Sequence, residues 1–331
     1  MDLRLVELER WLGAQPPIAQ SASAGGAASL SPASADASFR RYFRARLPDG
    51  ASYVVMDAPP DKEDCRPFVQ VAALFAGAGV HVPRIHAQDL SKGFLLLEDL
   101  GGETLLERIE RGADPKPLYA AATDALVRIQ AASRPGVLPE YDRALLAREL
   151  ALFPDWYVAK ERRRTLADGE RRVLDAAFEA LLANNLAQPK VFVHRDYHSR
   201  NLMCSDPAPG ILDFQDAVYG PITYDLVSLL RDAYVAWEEE QVLDWAVRYW
   251  EKARKAGLPV RADFGEFYRD FEWMGAQRQL KVIGIFARLF HRDGKERYLA
   301  DIPRVRGYLL PTLRRYRELA PLARLIEALE A

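Results

Sequence analysis

Residues 191–203 read VFVHRDYHSRNLM, a short apolar run that leads into two histidines, two arginines, an aspartate and an asparagine. Two chemistries compete for this stretch. His194 and His198, four apart with Asp196 between them, would share one face of a helix and suggest a metal site. The preceding VFV instead predicts a strand running into a loop, where helical spacing does not apply, and no third and fourth ligand follow at a zinc-like spacing. The second chemistry uses Asp196 and Asn201. An aspartate held in such a loop can bind an acceptor hydroxyl and take its proton, and Asn201 can turn an amide oxygen toward Mg²⁺. Twelve residues beyond Asn201 a short apolar strand ends in Asp213, placed to be the second Mg²⁺ ligand. A polar turn explains any one of these residues but not the ordered set. The H-R-D-x-x-x-x-N spacing followed by Asp213 points to phosphoryl transfer.

The elements that must carry this loop can be read on either side of it. FRRYFRARL (39–47) alternates with period two and predicts a half-buried strand. Pro48-Asp49-Gly50 supplies turn chemistry, and SYVVMDAP is its hairpin partner. PFVQVAALFAGAG is helical, opening on Pro67 and closing on glycines, and GFLLLEDL is a buried strand. Beyond it, helical patterns dominate over 115–133, 142–164, 168–185, 222–235, 238–256 and 263–292, with KVFVH and GILDF as the only strands. The N-terminal MDLRLVELERWLG is an amphipathic helix. Residues 13–38, rich in Ala, Ser, Gly and Pro, read as a linker or flexible loop. A strand-rich portion of 1–100 and a helical portion of 101–331 predict two lobes of an α+β protein.

The 331 residues carry 45 basic and 47 acidic side chains, for a net charge of −2. That balance gives no basic stripe for nucleic acid. The uncharged run from Trp11 to Ala35 is too polar for a membrane span. Two cysteines, Cys65 and Cys204, form no disulfide framework. With no signal peptide at the start, a cytoplasmic location is expected, with no nucleic-acid or membrane partner, and no protein partner can be inferred.

HRDYHSRN, LDFQDA and TYDLVSLL together resemble the aminoglycoside phosphotransferase and choline kinase branch of the protein-kinase-like superfamily. The longer strings DASFRRYFR, VMDAPP, FLLLEDLG, DFQDAVYGPITYDLVSLLRDAY and LKVIGIFARLFHRDGK resemble one group within it, the bacterial anomeric kinases for N-acetylmuramate and N-acetylglucosamine in peptidoglycan recycling. The likeness runs from about residue 30 to 310. It implies a two-lobed protein-kinase-like fold, ATP and Mg²⁺ as cofactors, and an amino-sugar hydroxyl as acceptor. It also implies that Asp225 and His194 support the catalytic loop. Adenine would be held near Glu98 and Leu100.

The sequence departs from the kinase pattern at one device. Kinases carry a lysine on the third strand, paired with a glutamate on the next helix. Here Met56 and Asp57 stand where that lysine would be sought, and PFVQVAALFAGAG has no glutamate. Arg40 and Arg44, on one strand face, are the expected substitutes, because guanidinium forks match phosphate oxygens. Ser38 is a further donor in the glycine-free loop before them.

For the acceptor, Gln277, Lys281, Gly284 and Arg288 share a helical face, and Arg278 neighbours Lys281. Gln277, Arg278 and Lys281 are the candidate substrate-binding residues. Cations on that face suit a neutral or acidic acceptor better than an aminoglycoside or choline. A solvated amphipathic face is the plainer reading of the same stripe. Tyr219, Tyr234, Trp237 and Trp273 are aromatic candidates for stacking on a sugar. An aminoglycoside or choline-type phosphotransferase and a non-catalytic nucleotide-binding module are the alternatives.

Overall fold

A computed structural model describes residues 2–23, 28–35 and 39–330. Ser38 therefore lies outside the described residues. The chain divides into two compact units, one of residues 1–103 and 203–216 and one of 104–202 and 217–331. The division falls just past the glycine pair that follows the FLLLEDL strand, and a short later segment returns to the first unit.

The first unit begins with helices α1 (Leu3–Gly13) and α2 (Pro16–Ser23). They lead into strands β1 (Ser29–Ala35), β2 (Arg41–Arg46) and β3 (Ser52–Asp57). Helix α3 (Arg66–Gly77) and strands β4 (Ile85–Asp89) and β5 (Phe94–Glu98) complete it. The five strands form one antiparallel sheet in the order β1-β2-β3-β5-β4. Leu8, Leu12 and Ile18 pack on Ala45, Val55, Phe94 and Leu96. Burying these apolar side chains is what holds the two helices on the sheet.

The linker expected over 13–38 is corrected for residues 16–23 and 29–35, while 24–27 and 36–38 lie outside the described residues. Proline is tolerated in a first helical turn, so Pro16-Pro17 can open α2. Ile18 then enters the core, and Leu30 of β1 packs against it. Pro32 is accommodated because β1 is an edge strand whose register shifts between Pro32 and Ser34. Small, uncharged residues read as linker-like, yet they also suit close packing at a sheet edge.

The second unit contains helices α4 (Leu105–Glu110), α5 (Pro115–Ala131) and α6 (Arg143–Leu152). A π-helical segment, Phe153–Glu161, continues α6 and is followed by α7 (Asp168–Leu186). Strand β6 (Lys190–Val193) leads into the loop that carries His194, Asp196 and Asn201. The short strands β7 (Leu202–Met203) and β8 (Gly210–Ile211) pair with each other, and β9 (Val218–Pro221) pairs antiparallel with β6. Helices α8 (Tyr224–Leu230), α9 (Glu239–Lys255), α10 (Phe264–Asp293), α11 (Ile302–Arg315) and α12 (Ala320–Glu330) complete the unit.

The axis of this unit is α10, a helix of 30 residues that is buried on nearly all sides between Phe267 and Leu289. The solvated-face reading of its polar stripe is thereby overturned. A polar group enclosed in this way must find a partner or pay its desolvation cost. Gly284 shows how closely α10 is crossed. A Cβ there would lie 2.4 Å from the backbone carbon and 2.5 Å from the carbonyl oxygen of Leu152. Gly284→Ala must push two backbones apart, and should destabilise the protein by about 1–3 kcal/mol. Urea denaturation measures this, and an unchanged midpoint would show that the crossing can relax.

Candidate active site

Strand β6 ends at Val193, and the loop after it is anchored at two points. Asp225, at the start of α8, accepts from the backbone N–H of His194 at 2.6 Å and of Arg195 at 3.0 Å. Asp232 accepts from both the N–H (2.9 Å) and the hydroxyl (2.6 Å) of Ser199. Both carboxylates are buried, and the nearby Asp232 also caps Tyr234 N–H. Burial pushes the Asp225 carboxyl up to about 7, against the pull of its two backbone donors. Within the loop, His194 Nδ1 accepts from the N–H of Asp196 at 3.2 Å. The His194 ring is thus engaged with the loop itself. Among the described residues no group of three or more His, Cys, Asp and Glu is arranged to hold a metal.

Arg195 adopts a left-handed φ of 77°. Such backbone is costly for a side-chain-bearing residue and persists only where surroundings enforce it. Here the enforcing group is Glu149 of α6, which binds Arg195 Nη2 at 2.7 Å and Lys281 Nζ at 3.0 Å. Tyr141 donates its hydroxyl to the same carboxylate, and Lys281 Nζ also donates to Tyr224 at 2.8 Å. Burial opposes the charge on Glu149, but Lys281 and Arg195 outweigh it and hold the carboxyl below the usual range. Lys281 is held above the usual lysine range in return, chiefly by Glu149 against its own burial.

The Asp196 carboxyl responds to the same surroundings. Burial raises its pKa, and the surrounding groups, Lys281 first and Arg278 among them, more than reverse that effect and hold the carboxyl below its usual range. Asn201 donates Nδ2 to the Asp196 carbonyl at 2.9 Å, which ties the amide to the loop. The His198 ring lies edge-on to Tyr234, 5.4 Å between centroids, and the Arg200 guanidinium covers the same tyrosine at 4.1 Å. Burial holds His198 below the usual histidine range.

The other expected acceptor residues divide. Gln277 is fully buried and donates Nε2 to the Leu146 carbonyl at 2.9 Å, so it ties α10 to α6. Its assignment to substrate is corrected on that ground. Trp237 donates to Tyr119, and Trp273 is buried against Tyr316, so both are packing residues. Of the four aromatic candidates, Tyr234 packs its ring on His198 of the loop after β6.

In the first unit, Asp213 follows β8 with a left-handed φ of 60°. Gln215 Nε2 donates to its Oδ1 at 2.7 Å. Phe214 packs into α3 against Phe68 and Phe75. Arg40 pairs with Glu63 at 3.1 Å, just ahead of α3, and lies in the field of Asp213 and Asp216. Arg44 does not stand open for phosphate. It forms a two-pronged pair with Asp99 (2.6 and 3.0 Å) and donates to the Gly101 carbonyl at 2.9 Å, bracing the segment after β5. That correction follows from the affinity of a guanidinium fork for the nearest carboxylate.

Asp57, where a strand lysine was sought, is fully buried and accepts from Arg4 at 2.7 Å and Arg41 at 2.9 Å. It lies on the same sheet face as Val55 and α1, opposite to Arg44 and Val54. Glu98 binds His81 (3.2 Å) and the Arg84 N–H (3.1 Å), so its side chain is engaged within the sheet. Leu100 is buried immediately after it.

Comparison with known proteins decides the family. The profile of the phosphotransferase enzyme family (APH) matches residues 29–264. The chain belongs to this family. It is 51% identical over 333 residues to an N-acetylmuramate/N-acetylglucosamine kinase of Pseudomonas putida, covering 100% of this chain and 98% of that protein. A protein of the same name from Neisseria meningitidis is 56% identical over 297 residues, 89% of this chain and 88% of that one. Among solved structures, an ethanolamine kinase of Plasmodium vivax superposes with a TM-score of 0.63 at 12% identity, covering 95% of this chain and 89% of that one. At that identity the likeness concerns the fold alone, which is protein-kinase-like. Among the described residues no helix is long and apolar enough to cross a membrane.

Two residues that anchor the loop of residues 194–201 were not singled out from sequence, Glu149 and Asp232. Glu149 carries no motif signal. Asp232 sits seven residues after Asp225 in DLVSLLRD, just past the end of α8, and a second carboxylate so near the first was the available clue.

Proposed function

We propose that the protein is an ATP-dependent kinase that phosphorylates the anomeric hydroxyl of N-acetylmuramate and N-acetylglucosamine. The observation that carries this reading is the doubly anchored loop presenting an ionised Asp196, in a chain whose full-length relatives bear that name. Asp196 holds the sugar hydroxyl and accepts its proton. Lys281 and Arg278 keep the carboxylate charged until that moment. Asn201 and Asp213 are the ligands for Mg²⁺. An amide oxygen and a carboxylate are hard oxygen donors, which suits an ion that takes few protein ligands and keeps water and phosphate oxygens. When bound, the ion supplies positive charge to the nucleotide phosphates. ATP as donor is consistent with a cytoplasmic location, and adenine would meet the backbone around Glu98 and Leu100.

Arg40 and Glu63 take the place of the missing lysine–glutamate pair. They reproduce its charge pattern from β2 and the approach to α3, with Arg40 in the field of the proposed metal ligand Asp213. Loss of one charge-assisted contact to phosphate costs roughly 1.5–3 kcal/mol. Arg40→Ala should therefore raise the KM for ATP by about 10–100-fold and leave the sugar KM unchanged. An unaltered ATP KM would remove Arg40 from the phosphate site.

The substrate assignment is tested by ADP release from the purified protein with ATP, Mg²⁺ and a panel of N-acetylmuramate, N-acetylglucosamine, kanamycin, choline and water. Turnover confined to the two N-acetyl sugars supports the reading. Turnover of kanamycin or choline in their place would refute it.

A further inference from the structure

Two cations lie one turn apart on α10 near Asp196, and their situations differ. Lys281 is fully accounted for by Glu149 and Tyr224. Arg278 is only 4% exposed, yet its guanidinium makes no hydrogen bond, ion pair or ring contact with any described residue. None of its nitrogens is sealed off from solvent. Its charge acts on Asp196, His198 and Asp225, none of which closes an ion pair with it. A nearly buried guanidinium without a partner is expensive, and that cost is ordinarily met by an anion in the working state.

Which anion follows from the reaction proposed above, on which this inference rests. The anomeric oxygen forms a bond to the γ-phosphorus of ATP. The bond from that phosphorus to the β–γ bridging oxygen breaks, ADP leaves with the electron pair, and the hydroxyl proton passes to Asp196. The three phosphoryl oxygens therefore arrive within a few ångströms of an ionised carboxylate, and like charges must be offset there. The lactyl carboxylate of N-acetylmuramate cannot be the general partner, because N-acetylglucosamine has none, and the relatives' name covers both sugars. We infer that Arg278 is a catalytic residue that binds the phosphoryl group in transfer and the resulting sugar 1-phosphate.

The test compares wild type, Arg278→Lys and Arg278→Gln, each first checked for native circular dichroism. Removing a preorganised donor from developing oxyanion charge costs about 10²–10³-fold in kcat. Arg278→Gln should show that loss equally with both sugars, with sugar KM values unchanged, and Arg278→Lys should recover part of it. By calorimetry, its affinity for N-acetylglucosamine 1-phosphate should fall at least tenfold (~1.4 kcal/mol), with affinity for the free sugar retained. A loss confined to N-acetylmuramate and seen as a raised KM would overturn the inference in favour of a carboxylate receptor. Unchanged kinetics in Arg278→Gln would overturn it in favour of a packing role. If wild type instead phosphorylates a different acceptor, the substrate reading fails alone, and the same kcat comparison on that acceptor still decides Arg278.

Discussion

Asp196→Asn should lower kcat by about 10²–10⁴-fold, the usual contribution of a positioned general base, and leave the KM for ATP unchanged. The substitution preserves shape. It also preserves the backbone bonds of residue 196, its N–H to His194 Nδ1 and its carbonyl to Asn201. What disappears is an oxygen able to take a proton, in a setting where Lys281 and Arg278 help to hold the native carboxyl below its usual range. Steady-state kinetics on both sugars would measure the effect. Native-level turnover by the asparagine variant would remove Asp196 from the chemistry.

The largest effect on stability is expected from Glu149→Ala. That carboxylate is 5% exposed and is the shared partner of Arg195, Lys281 and Tyr141. Removing it takes the shared carboxylate from the buried Lys281 and from Arg195, and breaking such a buried pair costs about 3–5 kcal/mol. Arg195 is also the residue in left-handed backbone whose N–H holds Asp225, so kcat should fall with stability. Glu149→Gln keeps the shape and some hydrogen bonding and should lose less. The sign with pH follows from the lowered carboxyl of Glu149. Its stabilisation is complete above the ordinary carboxylate range and disappears as pH falls through the depressed folded value. The gap between wild type and Glu149→Gln should therefore narrow in acid. Urea denaturation at neutral and acidic pH checks both statements, and a loss below about 1 kcal/mol at neutral pH would contradict the buried-pair account.

Much of this arrangement was legible because periodic patterns and short motifs are local properties. The β2–β3 hairpin, the long helices and the loop from His194 to Asn201 all announce themselves by spacing. Edge strand β1 did not, since its Ser, Ala and Pro content matches that of a linker and only the register with β2 gives it a structure. The charge partners were hidden for a related reason. Arg44 finds Asp99 and Arg40 finds Glu63 across 55 and 23 residues of sequence, so strand-face alternation placed the arginines correctly but could not say what occupies them. Gln277 was misassigned because a polar residue on a helix reads as facing water or ligand, whereas α10 is enclosed and the amide serves a helix crossing. Arg278 was nominated by its proximity to Lys281. Only the structure separates them, one cation paired with Glu149 and the other without a hydrogen bond or ion pair to a described residue.

The most direct test of the whole account is the structure of the product. Purified protein, ATP, Mg²⁺ and N-acetylglucosamine would be incubated, and the phosphorylated sugar examined by phosphorus–proton correlation NMR. The account predicts one phosphoester whose phosphorus couples to the anomeric proton. Coupling to a proton at another ring position, or inorganic phosphate as the sole new phosphorus species, would contradict it.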